Sequence, residues 1–349
     1  MNNIFSKIKF LLKKPKVVII SGSGQEVSCF AVKHVLKNSS EKVLVVEFDS
    51  KRIKDFEFLV KYSSQVVLLA THVGQYHPDK EFFGAEQEQV KNIADLASKL
   101  PSHAYLVLNF DDETVRDIKT MSSAHVLTFG FGARADLRAS DLVLNQLPES
   151  GTNFKLNWQG KIVPVWLDSL FGKENIYAAL SVVGTASVLG LNLVEISESL
   201  GSWPGVQGHL KLIKGIKNSW ILDDSDSAHP LSMVEGLSLL KKIETKGRRI
   251  AVLGDILGVG KYTIESHEAI GEQVQGAADL LFAVGQRAKF YIQGAERKGM
   301  AEKNILHFND VKTAGLALQE EMREDDLILI DGAREMKMKE VVVEIKGLD

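Results

Sequence analysis

The residues best suited to chemistry in this sequence are glycines, serines and acids that follow short apolar runs. The run VVIIS ends at Ser21 and leads into a turn that contains Gly22, Ser23 and Gly24. Later runs are followed closely by acids, namely Glu47, Asp111, Asp112, Asp223, Asp224, Asp255 and Asp331. Carboxylates gathered at one edge of a sheet suit Mg²⁺, a hard cation that prefers oxygen ligands, and hence phosphate chemistry. Taken singly, each acid is better explained as a helix cap, a common role for acids at strand-to-helix turns.

The elements that position these residues alternate along the chain. From Lys16 onward, short β-branched runs alternate with helical patterns, which predicts βαβ units and a parallel sheet. Ligands of such a sheet bind beyond the carboxyl ends of its strands, which is where the glycine turn and the acids fall. The runs of the first half are nearly continuous in apolar residues, as in strands buried on both faces. They lie at 17–21, 42–48, 65–71, 104–110 and 125–130.

The pattern of apolar and polar residues changes at two places along the chain. Residues 141–166 alternate in polarity and contain a turn at Gln159-Gly160, which predicts a small antiparallel sheet appended to the parallel one. The segment 202–209 concentrates Pro and Gly and predicts a hinge. After it the alternation restarts. We therefore predict an α/β protein with two open, mostly parallel-sheet domains at residues 17–206 and 207–349.

Composition places the chain among ordinary globular proteins. Its 349 residues carry 42 Lys+Arg against 45 Asp+Glu, so the net charge of −3 lacks the basic excess of nucleic-acid-binding domains. Its 45% hydrophobic and 25% charged residues exclude a disordered or collagen-like chain. The single cysteine, Cys29, cannot form an internal disulfide, and no apolar run approaches the roughly 18 to 20 residues that span a bilayer. We predict a cytoplasmic protein without a nucleic-acid partner.

The first sixteen residues form a separate basic segment. They contain five lysines and no acid, and Pro15 ends the predicted helix. Apolar side chains at helical spacing give this helix an apolar face, made of Ile4, Phe5, Ile8, Leu11 and Leu12. Two interpretations follow: the apolar face packs on the domain behind it, which we favour, or the segment binds weakly to an anionic membrane surface at the inner membrane face.

Six segments form a pattern that is more specific than any single acid. They are VLNFDDE (107–113), LTFGFGARADLRA (127–139), GKENIYAAL (172–180), ILDDSDSAHPLSM (221–233), AVLGD (251–255) with His267 downstream, and DGAREMKM (331–338). In order and spacing they resemble the Mur ligase family, and in particular the branch that adds D-alanyl-D-alanine to the muramoyl tripeptide. The resemblance covers nearly the whole chain and implies a P-loop ATPase-like central domain and a Rossmann-like C-terminal domain.

The resemblance also implies a reaction and the residues that serve it. Such ligases use ATP, with Mg²⁺, to convert a carboxylate into an acyl phosphate, which an amine attacks to form an amide. Glu47 matches the acid that ends the second strand, His77 the histidine of a Gly-x-x-His turn, and Lys91 the lysine that family members carbamylate. These three would organise the metal, and Arg334 would act with His77 and Lys91 in catalysis. Nucleotide contacts are implied for Gly22, Ser23, Gly24, Ser28, Asn175, Asp224 and His229. Without the family match, Lys91 is interpreted as a solvated helix-face lysine.

The phosphate loop departs from the family pattern Thr-Gly-[Thr/Ser]-x-Gly-Lys-[Thr/Ser]. Gln25 replaces the second glycine, Glu26 the lysine and Val27 the hydroxyl residue that binds Mg²⁺. Exchanging Lys for Glu reverses an interaction worth roughly 4 kcal/mol at ~4 Å and an effective dielectric of ~20, a swing of order ~8 kcal/mol before relaxation and screening. A shift of one place would make Ser28 the hydroxyl but supplies no lysine. We therefore expect the usual ATP pose to be strongly disfavoured.

Other departures fall on nucleotide and substrate contacts, while glycine and apolar framework positions persist. They are Glu174 for His, Ala178 for Asn, His209 for Arg, Ser227 and His229 for the asparagines of Asn-Ala-Asn, Gly258 for an acid, Asp331 for Lys and Ala333 for Ser. The family's amino-terminal domain, which holds the uridine-diphosphate end of the substrate, has no counterpart before residue 17. We expect acceptor recognition to differ or to come from a partner chain.

Two functions stay open on these residues. The first is an ATP- and Mg²⁺-dependent, amide-forming ligase of peptidoglycan precursor synthesis, favoured by the kept metal positions. The second is a catalytically inactive homologue that binds a precursor, a nucleotide or a partner ligase chain, favoured by the coordinated losses. An unrelated dinucleotide-binding protein would depend on Gly22-x-Gly24 alone, without the third glycine of that fingerprint.

Overall fold

The computed structural model describes residues 4–37, 42–48, 52–71, 83–227 and 229–347, with side chains described from residue 8 in the first range and from residue 90 in the fourth. The chain divides into two compact units. The first comprises Met1–Val143, Asn153–Leu167 and Lys173–Trp203, and the second comprises Leu144–Thr152, Asp168–Gly172 and Pro204–Asp349. The last change of unit, between Trp203 and Pro204, lies in the segment where the sequence predicts a hinge.

The first sheet contains eight strands in the described part of the chain. They are β1 (Lys16–Ser21), β2 (Val43–Glu47), β3 (Gln65–Ala70), β4 (Tyr105–Asn109), β5 (His125–Gly130), β6 (Leu137–Asn145), β7 (Gly151–Trp158) and β8 (Lys161–Asp168). Their order is β2-β1-β3-β4-β5-β6-β7-β8, and the pairs from β2 through β6 are parallel. Residues 17–20 of β1 are buried, as a continuous apolar run in a central strand predicts.

The strands β7 and β8 confirm the predicted change to antiparallel pairing. They are neighbours in the sheet and are joined by the two residues Gln159 and Gly160. A two-residue connection joins only antiparallel strands, and positive φ at both central residues is the geometry of a hairpin turn. The φ angles are 49° at Gln159 and 76° at Gly160. The strands extend the parallel sheet at one edge.

Helices pack on this sheet and build the core of the first unit. The described helices are α1 (Ile4–Lys13), α2 (Gln25–Leu36), α3 (Ile53–Tyr62), α4 (Phe83–Ser98), α5 (Glu113–Asp117), α6 (Gly172–Val188) and α7 (Leu193–Gly201). Phe56 of α3 and Ile93 and Leu96 of α4 are buried in one cluster with strand residues such as Leu68 and Leu106. This cluster holds β3 and β4 in the positions from which their carboxyl ends lead into loops.

The helix α1 differs from the favoured prediction. Phe10 is buried, at 7% exposure, and belongs to the core cluster of the first unit. The residues of the predicted apolar face whose side chains the structure describes remain exposed, at 49% for Ile8, 38% for Leu11 and 81% for Leu12. The prediction that the apolar face packs on the domain is therefore wrong for the side chains that the structure describes, because an aromatic residue on the opposite side makes the contact.

The second unit contains a six-stranded sheet among the described residues. Its strands are β9 (Lys211–Lys214), β10 (Trp220–Asp224), β11 (Arg249–Gly254), β12 (Leu280–Val284), β13 (Ile305–Phe308) and β14 (Leu327–Asp331). The order is β13-β12-β11-β14-β10-β9, with β9 antiparallel and the other pairs parallel. The edge strand β13 escapes prediction because its four residues are only half-buried or exposed and form no continuous apolar run.

Helices alternate with these strands, which confirms the second open α/β sheet. They are α8 (Pro230–Lys242), α9 (Thr263–Val274), α10 (Lys289–Arg297), α11 (Val311–Glu321) and α12 (Lys339–Ile345). The strand order brings Asp224 and Asp331 into register on neighbouring strands and sets Asp331 beside Leu253 of β11. Three acid-bearing strand ends therefore meet at the carboxyl edge of this sheet. No described helix combines the length and the apolar composition needed to cross a membrane.

Candidate functional site

The glycine turn after β1 has the backbone of an anion-binding loop. Gly22 has φ 123° and Gly24 has φ 67°, conformations that glycine adopts at little cost. Gly24 directly precedes α2, so the first turn of this helix lies just beyond the strand. Thr71 anchors the turn from the end of β3, because its hydroxyl donates to the Ser23 carbonyl at 2.6 Å. The N-terminus of α2 is thus positioned as helix termini are at phosphate sites.

The side chains of the same turn do not fit a nucleoside triphosphate with Mg²⁺. Glu26 lies in the first turn of α2, where a lysine would face the phosphates. Val27, at the position of the metal-binding hydroxyl, is fully buried and apolar. Ser28 is 3% exposed and its N–H donates to the Gly24 carbonyl at 3.1 Å, so the alternative hydroxyl lies inside the unit. The backbone of the loop therefore has a geometry that can bind phosphate, whereas the side chains of Glu26 and Val27 disfavour a phosphate with Mg²⁺.

The three predicted metal-associated residues are only partly described. Glu47 ends β2 and is exposed, beside the end of β1. It also lies near the Cys29 thiol of α2, whose pKa is raised chiefly by burial, with Lys33 lowering it and Glu47 raising it. Lys91 is exposed on α4, and His77 lies outside the described residues. Within the residues that the structure describes, no three His, Cys, Asp or Glu side chains come close enough to hold a metal ion.

The acids after β4 have structural roles. Asp112 caps α5 by accepting hydrogen bonds from the N–H groups of Thr114 and Val115, which confirms the cap interpretation for this acid. The Asp111 carboxylate accepts from the backbone N–H groups of Phe131 at 2.6 Å and Gly132 at 2.9 Å, and from the Tyr177 hydroxyl at 3.1 Å. It therefore fixes the loop after β5. Asn175, a predicted nucleotide contact, is buried within α6.

The acids at the end of β10 and β14 form a buried pair. Asp224 accepts a hydrogen bond from the Leu210 N–H at 3.2 Å and lies opposite Asp331 in the parallel register. Asp331 is fully buried, and this burial raises its pKa well above the usual value, although the neighbouring Asp224 lowers it. Burial in a low-dielectric interior favours the protonated, neutral form of Asp331. Asp224 is therefore a member of a core pair, at the place where the sequence predicts a nucleotide contact.

The loop after β11 is fixed by a buried histidine. The His267 Nε2 accepts from the Ile256 N–H at 3.1 Å, so the proton lies on Nδ1, which donates to the Thr263 carbonyl at 2.6 Å. Burial lowers the pKa of His267, and the acceptor role of Nε2 requires the neutral form of the ring. Asp255 accepts from the Arg287 N–H at 3.1 Å. Both side chains hold the carboxyl edge of the sheet in shape.

A charged pocket of about 650 Å³ opens beside this edge, within the second unit. Arg334 lies in its wall and forms a two-fold ion pair with Asp226, with both N···O distances at 2.7 Å. Lys337 and Lys339 add positive charge to the wall, and Glu340 adds negative charge. Neither lysine is among the predicted site residues, although the spacing of the last motif, AREMKMK, places both within five residues of Arg334. His229 lies elsewhere, as the N-cap of α8.

Two open, mostly parallel sheets, with a glycine turn and charged groups at the carboxyl edges of their strands, define an α/β protein of the class whose ligands bind at those edges. Residues 9–186 match the Mur ligase middle domain, and residues 210–334 match the Mur ligase, glutamate ligase domain. The chain therefore belongs to the Mur ligase family, and the predicted resemblance is confirmed.

Among curated proteins the chain is similar to UDP-N-acetylmuramoyl-tripeptide–D-alanyl-D-alanine ligases. It is 22% identical to the Bacillus subtilis protein over 305 residues, covering 87% of this chain and 64% of the relative. It is 26% identical to the Escherichia coli protein over 303 residues, covering 85% of this chain and 64% of the relative. The chain thus spans less than two thirds of the length of these relatives.

Solved structures share the fold at low identity. MurF from Acinetobacter baumannii superimposes with a TM-score of 0.80 at 18% identity, covering 97% of this chain and 78% of the other. MurF from Thermotoga maritima, solved in complex with ADP, gives a TM-score of 0.75 at 19% identity, covering 97% and 81%. These likenesses confirm the two-domain, mostly parallel α/β fold.

Proposed function

We propose that this chain is a MurF-like member of the Mur ligase family that acts on peptidoglycan precursors but has lost ATP-dependent ligation in the family's usual form. The observation that carries the proposal is Glu26 in the first turn of α2, directly after the left-handed Gly24. A carboxylate there opposes the phosphates that the backbone of the turn would otherwise attract. In this proposal the protein binds a precursor, a partner ligase chain or a nucleotide other than ATP with Mg²⁺, in the cytoplasm and without forming the amide.

The second unit supports the same proposal independently. The last family motif has a lysine at the position of Asp331, and here this position is a buried carboxyl paired with Asp224. A group in this environment is held by the core and offers no positive charge to a phosphate or an acyl phosphate. The lysines of two family motifs are thus replaced by acids, one in each unit.

A competing proposal is a working ATP- and Mg²⁺-dependent ligase. Glu47 and Lys91, two of the residues that match the family's metal-associated positions, are exposed in the structure, and Arg334 lines an open pocket. The ADP complex of the Thermotoga maritima relative supports a nucleotide as the ligand of this fold. In this alternative the peptidoglycan precursor is the carboxylate substrate. ATP affinity separates the two proposals.

The test is calorimetric titration of ATP with Mg²⁺ into the wild-type chain and into the repaired variant Gln25→Gly/Glu26→Lys/Val27→Thr. We expect no binding at micromolar ATP by the wild type and measurable binding after repair, because the backbone of the turn is already formed. Glu26→Gln is the matched control, since it removes the negative charge without supplying a lysine, and it should recover only part of the affinity. Micromolar ATP binding by the wild type would refute the loss of function and support the ligase.

A further inference from the structure

The helix α1 joins the first unit through the side opposite its apolar face. At about 100° per residue, Phe10 lies about 160° around the helix from Ile8, whereas Leu11 and Leu12 lie within about 60° of Ile8. Phe10 packs on the Phe58 ring with centroids 5.5 Å apart, and Phe58 packs on Tyr62 at 5.0 Å. These aromatic contacts therefore fix the rotation of the helix and turn its described apolar side chains away from the unit.

The apolar face is open along its described length. The exposures of 49% at Ile8 and 81% at Leu12 far exceed the 7% of Phe10. Leucine and isoleucine side chains gain about as much from leaving water as any core residue. A helix that buries one aromatic residue and leaves three aliphatic ones outside has a second surface to which it can bind.

Positive charge borders this face. Lys9, Lys13 and Lys14 are exposed, and the helix has no acid. On the neighbouring helix α3, Asp55 pairs with Arg52 and Glu57 pairs with Lys99 at 2.8 Å. Lys9 lies about 100° around the helix from Ile8 and borders the aliphatic face, and Lys13 and Lys14 add exposed positive charge at the end of the helix.

We propose that this face docks on an anionic lipid surface, with Ile8, Leu11 and Leu12 at the boundary between headgroups and acyl chains. A helix that lies in the plane of a membrane combines an aliphatic face with lysines that contact anionic headgroups, which is the arrangement found here. Three aliphatic side chains bury far less than the roughly 800 Å² per partner of a stable protein interface. Charge complementarity and the small apolar area both favour lipid as the occupant.

The docking is tested by flotation of the full chain with vesicles of phosphatidylglycerol and phosphatidylcholine, compared with phosphatidylcholine alone. We expect flotation only with the anionic vesicles, and its loss at ~1 M salt, where the screening length is about 3 Å. Leu12→Glu should lower the partition coefficient at least tenfold, because it places a charge at the apolar boundary. Lys13→Ala should lower it about fivefold, the value of one lysine near an anionic surface.

Ile162→Glu is the matched control, because Ile162 of β8 is 63% exposed and lies outside α1. It should float as the wild type does, and thermal denaturation of all variants checks that they fold. Wild-type flotation of Leu12→Glu, or equal flotation with neutral vesicles, would overturn the proposal. A self-associated form in sedimentation that Leu12→Glu dissociates would also overturn it, since the face would then bind a second copy. Neither result depends on whether the chain binds ATP.

Discussion

The glycine turn of the first unit and the strand-end acids of the second have both replaced a family lysine by an acid, with different structural consequences. Glu26 is half-buried in a helix turn whose backbone keeps the geometry of a phosphate loop. Asp331 lies in the core, fully buried beside Asp224. The replacement at Glu26 changes a side chain but leaves the backbone of the loop intact. The replacement at Asp331 instead buries the new carboxyl group in the core, where burial raises its pKa. Reversing the first should therefore restore binding, and changing the second should alter stability.

The largest expected effect follows from neutralising the buried pair with Asp331→Asn. Because burial raises the pKa of Asp331 in the folded state, this group contributes stability below its unfolded pKa of about 3.9 and loses it as pH rises toward the folded pKa. The free energy of unfolding should fall by about 1.4 kcal/mol per pH unit in that window, and asparagine removes the dependence. Urea denaturation between pH 4 and pH 9 should show that the free energy of unfolding of the variant increases relative to that of the wild type as pH rises.

Asp310→Asn is a control for which we expect the opposite dependence of stability on pH. Asp310 caps α11 and accepts from the Thr313 N–H at 2.9 Å, and the hydroxyl and backbone of Thr313 lower its pKa. Its stabilising contribution is present above the unfolded pKa and is lost as pH falls through the folded one. The control should therefore be less stable than the wild type at neutral pH and approach it in acid. Parallel pH curves for Asp331→Asn and the wild type would contradict the buried pair.

The second prediction concerns the histidine that fixes the loop beside this pair. His267→Leu leaves the buried Ile256 N–H without its acceptor, which should cost about 1–3 kcal/mol of unfolding free energy at pH 8. Because burial lowers the pKa of His267, its contribution is complete above the unfolded pKa of about 6.5 and is lost as pH falls through the folded value. The difference between variant and wild type should shrink toward pH 5 in urea denaturation. His103→Leu, at an exposed position, should change stability little, and an equal loss there would remove the assigned role.

Much of the fold can be predicted from the sequence, because strands that are buried on both faces consist of continuous apolar runs. The run at 17–21 predicts β1, and the same reasoning finds β10, β11 and β14, whose ends carry the acids. The half-buried β13 lacks that signal. The rotation of α1 could not be predicted, because one contact between Phe10 and Phe58, distant in sequence, outweighs the amphipathic pattern.

The candidate site is harder to predict from the sequence, since the type of a residue does not show whether an acid faces the solvent or the core. Asp112 is a cap, Asp111 a loop anchor and Asp331 a buried partner, although all three follow strands in the same way. The ion pair between Arg334 and Asp226 joins residues 108 positions apart, and only the fold brings them together. The roles predicted for Lys91, Glu47 and His77 stay predictions.

The third prediction tests whether the glycine turn is a frame independent of its side chains. Gly24→Ala forces a Cβ into the left-handed region at φ 67°, which should cost about 1 kcal/mol of unfolding free energy. Gly201→Ala is the matched control, because Gly201 ends α7 without a positive φ and has open space where the alanine Cβ would lie. It should be neutral or slightly stabilising, since alanine favours helix. Equal losses at the two positions would mean that the turn imposes no special conformation.

The smallest effect on stability is expected at Lys91. This residue tests whether the first unit can still support metal chemistry, although the side chains of its phosphate loop are replaced. Lys91 is exposed on α4, so Lys91→Ala should change the free energy of unfolding by less than about 0.5 kcal/mol. Lys99→Ala, which removes an exposed ion pair with Glu57, should be equally mild. When each is added to the repaired variant that carries Glu26→Lys, we expect Lys91→Ala to lower Mg²⁺-dependent phosphate release while Lys99→Ala leaves it unchanged. Equal release from both would show that Lys91 is only a solvated helix-face lysine, and that the first unit, like the second, keeps the family's frame without its chemistry.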